Sequence, residues 1–228
     1  LARSFMAERA YRFAKEILDG SRVVTSRSGL GTLARLNDAL SVRVALQTGH
    51  LNDAFERVSA LAPEAISADP SEFQVESRVA RGLVFIVQGK LEEAGQELVL
   101  AGREASGHKR PDLGRWQASR ALAAQSQVMF RANLPERAAA LLKEALELAA
   151  TEDALHEGAE WTLVQAAYGL CAGESPNLER VRVALTILAM KTSSGRAMDA
   201  LTGLPIDLAG QADAGAMVGA CHLAAEER

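Results

Sequence analysis

One kind of corner recurs along this chain. Gly49, Gly89 and Asn133 each follow an apolar stretch and precede a charged one. They stand 40 and 44 residues apart, and a further 44 residues leads to Asn177. Glycine and asparagine most readily take φ > 0 after a helix, so each is read as a helix C-terminal corner. Five residues beyond the first three corners come Ala54, Ala94 and Ala138. A small side chain there lets the second helix lie close against the first. Val58 and Leu61, Leu98 and Ala101, and Leu142 and Ala145 continue each second helix at helical spacing. Helix, corner and helix at a steady period imply an all-α fold of stacked antiparallel hairpins, an α-solenoid.

Composition agrees with that reading. Hydrophobic residues make up 48% and charged residues 24% of the chain, ordinary for a soluble protein. Aromatics are scarce at 4%, which suits closely packed helices and argues against a β-sandwich. A repeat array needs no division into separate cores, so residues 1–228 are read as a single domain of four to five hairpins. The first helix resembles the second half of a truncated repeat, and 192–228 reads as a degenerate C-terminal cap. The chain starts at Leu1, which suggests a segment of a larger protein.

The net charge of −4 provides no basic footprint for nucleic acid. No apolar run approaches a membrane span, and no leader segment is recognisable. A cytoplasmic location is expected. Cys171 and Cys221 lack metal-like spacing and are read as reduced, buried thiols.

In chain order, helices are expected over 4–18, 32–48, 51–62, 72–88, 91–106, 112–132, 135–150, 153–172 and 178–191. A weaker pair follows at 196–202 and 211–226. Asp19 and Gly20 are read as ending the first helix, with a loop to residue 32. Ser4, Ser71 and Asp112 are expected N-caps. Trp116 and Trp161, near the starts of two long helices, are expected to wedge between hairpins.

Catalytic patterns are absent from the sequence. None of the four histidines has metal-binding spacing with another. Asp153, His156 and Glu160 share a helix face and are read as solvated charge. The Gly20–Gly31 stretch lacks the Gly-Lys-Ser/Thr ending of a phosphate loop. Neither enzymatic activity nor a metal or cofactor is expected.

Gly82, Phe85, Gly89, Ala94, Leu98 and Ala101 in the second unit together resemble the tetratricopeptide repeat (TPR) superfamily. The longer units and the run Ala138–Ala150 resemble repeats of MalT-like, LuxR-type bacterial transcription regulators. The likeness spans residues 32–190. It departs from the family in that this position is glycine only at Gly82, with Val42, Ser126 and Leu170 in the other units.

The resemblance implies a right-handed superhelix whose inner wall is formed by the first helix of each hairpin. It assigns to that wall Arg43, Gln47, Leu83, Ile86, Val87, Arg120, Gln127, Phe130 and Arg131. Leu36, Ala39, Leu46, Glu76, Val79, Ala123, Val164, Ala167, Cys171, Glu174 and Ser175 complete it. An apolar middle with arginine on either side fits a peptide carrying acidic groups. The implied function is a protein- or peptide-binding module, the sensor or scaffold segment of a bacterial regulator. Alternatives are a domain that binds a small-molecule inducer and a self-associating, homo-oligomeric scaffold.

Overall fold

The computed structural model describes residues 11–27, 30–61, 72–149, 155–177 and 179–184. Among the described residues the protein is all-α, with no strand. The helices are α1 (Tyr11–Arg27), α2 (Gly31–Gln47), α3 (Leu51–Ser59), α4 (Glu72–Val87), α5 (Leu91–Ser106), α6 (Pro111–Arg131), α7 (Pro135–Leu148) and α8 (Leu155–Cys171). Residues 179–184 are also helical. No helix among the described residues is long and apolar enough to cross a membrane.

The corners share one backbone geometry. Gly49, Gly89 and Asn133 have φ of 76°, 74° and 60°. After α2, the Gly49 N–H donates to Leu46 O and the His50 N–H to Ala45 O. The same two bonds recur at Gly89 with Ile86 and at Lys90 with Phe85. They recur again at Asn133 with Phe130 and at Leu134 with Met129. This pair of bonds satisfies carbonyls that the helix end would otherwise leave open.

The fourth corner differs from expectation. It is Gly173, at φ 79°, and not Asn177. The Gly173 N–H donates to Leu170 O and the Glu174 N–H to Gly169 O, as at the other corners. Asn177 instead caps the helical stretch that follows, its Oδ1 accepting from the Arg180 N–H at 3.1 Å.

Each described helix packs on the next, and the first helices of adjacent hairpins also touch, α2 on α4 and α4 on α6. Ala54, Ala94 and Ala138 are fully buried at these contacts. A Cβ on Gly82 would lie 2.6 Å from Leu98 Cγ, so α4 and α5 meet where a side chain is missing. A continuous core runs from Ala39 and Leu46 through Val84 and Ile86 to Ala121 and Val128. A second core joins Ala138, Leu142 and Ala145 to Val164 and Tyr168.

Three expectations are corrected. First, α1 continues through Gly20 to Arg27. Ala14 and Leu18 are buried against Leu40 and Val44, and Asn37 Nδ2 donates to Ser21 Oγ at 2.7 Å. This packing outweighs the roughly 1 kcal/mol penalty of one helical glycine. Second, Arg110 is the N-cap of α6, with Pro111 as first helical residue and Asp112 within the first turn. Third, the Cys171 thiol is exposed, because it stands at the last turn of α8 rather than inside the bundle. The expected elements at 4–10, the caps Ser4 and Ser71, Cys221 and the pair beyond 192 lie outside the described residues.

Candidate functional site

Helix α4 is buried along nearly its whole length, yet it carries Glu76, Arg78 and Arg81. Charge removed from water must be paired. Glu76, 2% exposed, accepts from Arg120 Nη1 at 2.9 Å and lies 3.6 Å from Arg43 Nη1. One carboxylate thus joins α2, α4 and α6. The Arg120 guanidinium lies 4.4 Å from the centre of the Trp116 ring, whose face favours a cation.

A second network joins α4 to α5. Arg78 Nε donates to Glu104 at 2.8 Å and Arg78 Nη1 to Glu97 at 3.1 Å. Arg81 also reaches Glu97, and its Nη1 donates to Leu61 O at 2.9 Å. Burial works against the Arg78 charge, but the two carboxylates outweigh it and hold its pKa above the ordinary value. Sequence reading missed this network. Its signal was the unusual charge within an apolar helix, matched by Glu97 and Glu104 seven residues apart on one face of α5.

The nominated wall residues fall into two groups. Leu83 and Ile86 belong to the core. Arg43 and Arg120 are engaged by Glu76, and Gln127 is buried. Phe130 stacks on Tyr168 with ring centres 4.4 Å apart. Gln47, Val87 and Arg131 remain partly exposed. Each lies two residues before its corner, at the C-terminal end of a first helix. Arg131 Nη1 donates to Ile86 O at 3.2 Å, tying this edge to the preceding hairpin.

The corrected fourth corner moves the last set of wall positions back by four residues. Val164, Ala167, Cys171, Glu174 and Ser175 give way to Glu160, Leu163, Ala167, Leu170 and Cys171. Exposed Cys171 then matches Gln47, Val87 and Arg131. Glu160 matches Glu76 and Arg120, and like them it is buried rather than solvated. Asp153 and the His156 side chain lie outside the described residues. No group of three His, Cys, Asp or Glu residues suited to a metal occurs among the described residues.

Trp161 packs against the second core, as Phe130 also does. In that core burial pushes the Tyr168 phenol pKa well above its ordinary value; Ser126 and Arg131 act in the opposite sense without offsetting it. Comparison of the chain with protein-family models, curated proteins and solved structures found no match.

Proposed function

We propose that these hairpins are consecutive units of a TPR-like α-solenoid and that the chain is a protein- or peptide-binding module. The observation that carries this reading is the recurrence of one corner geometry at Gly49, Gly89, Asn133 and Gly173. Contact between successive first helices supports it further. An array built this way presents a row of equivalent positions to a partner. The accessible row is Gln47, Val87, Arg131 and Cys171, so binding is assigned to this edge rather than to the buried wall. Arg131 favours an acidic partner group there. The role as sensor or scaffold of a cytoplasmic bacterial regulator rests on resemblance alone.

The test is site-specific photo-crosslinking in native extract. A crosslinker at Gln47, Val87 or Arg131 is expected to capture the same partner. One at Val99 or Ala140, exposed on second helices, is expected to capture none. Equal capture from both sets would overturn the assignment.

A further inference from the structure

A cavity of ≈ 180 Å³ opens beside the last corner. One wall is a single face of α8, made by Thr162, Gln165, Ala166 and Gly169. The opposite wall is the turn after Gly173 and the helical stretch beyond it, with Glu174, Asn177 and Arg180.

The two charged side chains of this cavity do not pair with each other. Glu174 and Arg180 make no side-chain ion pair among the described residues, and the Gln165 amide makes no hydrogen bond there. Glu174 is nevertheless held in place. The left-handed Gly173 turns the chain, and the Glu174 N–H donates to Gly169 O at 2.8 Å. A Cβ on Gly169 would lie 3.3 Å from Glu174 Oε2, so the carboxylate rests on α8 where the helix has no side chain. A carboxylate on an anchored stretch of backbone and a guanidinium therefore line one small cavity without pairing.

We propose that this cavity binds a small zwitterion of free α-amino acid type. The Glu174 carboxylate accepts from the ligand ammonium, and Arg180 donates to the ligand carboxylate. Gln165 supplies an uncommitted amide on the facing wall. Ala166, Pro176 and Val181 offer apolar surface to a short side chain. The volume is below the roughly 300–1,000 Å³ of pockets for drug-sized ligands, which restricts the occupant to a few heavy atoms. Both charged groups are open to water, so the complementarity gives selectivity at modest affinity. This site is separate from the partner-binding edge, and either assignment can fail without the other.

The experiment is a chemical-shift titration of the full chain with glycine, L-alanine and L-serine. L-Alaninamide and N-acetyl-L-alanine serve as probes that lack one charge each. Saturable shifts at Gln165, Gly169 and Glu174 are expected for the amino acids, with each derivative about tenfold weaker. E174Q should weaken L-alanine but not N-acetyl-L-alanine. R180Q should weaken L-alanine but not L-alaninamide. Both side chains are exposed, and circular dichroism checks that the helices persist in each variant. The proposal is overturned if no amino acid gives saturable shifts, if the derivatives bind equally well, or if neither folded variant changes affinity.

Discussion

Arg120 Nη1 donates to Glu76 Oε1 at 2.9 Å across 44 residues of chain, the interval that separates Gly89 from Asn133. The two residues therefore hold the same place in successive first helices. With Arg43 nearby, Glu76 is a carboxylate shared by two buried guanidinium groups. Glu76→Gln leaves both guanidinium groups buried beside a neutral amide. A loss of about 3–5 kcal/mol is expected in urea unfolding. Replacing Arg43, Glu76 and Arg120 together with Met should recover most of that loss, because desolvated charge and its partners disappear at once. A triple variant as unstable as Glu76→Gln would mean that packing, not the lost charge pairing, accounts for the effect.

Gly89 has φ 74° and nothing within 4 Å of the place a Cβ would take. The penalty of a side chain there is conformational rather than steric. Gly89→Val should lower stability by about 1–2 kcal/mol. Gly89→Asn should lose less, since Asn133 already occupies the same conformation. Equal melting temperatures for both variants would contradict this account.

Gly82 poses the opposite problem. A Cβ would come within 2.6 Å of Leu98 Cγ and 2.7 Å of Leu98 Cδ2, and Leu98 is fully buried. Gly82→Ala should cost about 1–3 kcal/mol through overpacking. In a Leu98→Ala background the same substitution should be close to neutral or favourable. A double-mutant cycle measures the difference, and strict additivity would mean that α4 and α5 separate freely.

Gly20 is exposed within α1, and a Cβ there meets nothing within 4 Å. Gly20→Ala should therefore stabilise the protein by about 0.5–1 kcal/mol. A drop in the unfolding midpoint would show that the helix needs to be interrupted at this point.

Tyr168 makes stability depend on alkaline pH. Its folded pKa is raised by burial above the ordinary value of 10.0. Below pH 10 both the folded and unfolded phenol are neutral, and the contribution is constant. Above pH 10 the unfolded phenol ionises first, so stability falls as pH rises. In a Tyr11→Phe variant, which keeps Tyr168 as the sole tyrosine, tyrosinate absorbance should grow only as helical circular dichroism is lost. Ionisation with full helicity retained would place the hydroxyl in contact with water.

Much of the backbone plan was legible because it depends on local chemistry. Gly49, Gly89 and Asn133 declare left-handed corners, and Ala54, Ala94 and Ala138 declare close helix contacts. The last corner was misread because the 44-residue interval was extended past its cause. That interval reflects α6, whose 21 residues exceed the 16 of α4. Counting from Asn133, the next corner returns to 40 residues at Gly173. Gly20 was misread because a local stop signal says nothing of Ala14 and Leu18 packing on α2.

The candidate site was less legible. Arg43, Arg120 and Glu76 were placed on one wall by register, but their mutual pairing depends on how far successive first helices lie from one another. Periodicity cannot supply that distance. It also could not separate Leu83 and Ile86, which fill the core, from Gln47, Val87 and Arg131, which reach its edge.

The bonds that tie side chains to the backbone of an earlier helical unit share a direction. Arg81 donates to Leu61 O, Gln125 to Leu98 O and Arg131 to Ile86 O. In each, the donor is synthesised after its acceptor. A nascent hairpin emerging from the ribosome would meet these three carbonyls already set in place. Removing units from the C-terminal side leaves these carbonyls to water, though a cut before α6 also takes Arg120 from Glu76. Removing them from the N-terminal side strands part-buried guanidinium groups. These side-chain-to-backbone ties are thus polar along the chain, and loss of a neighbouring unit exposes different groups on its two sides.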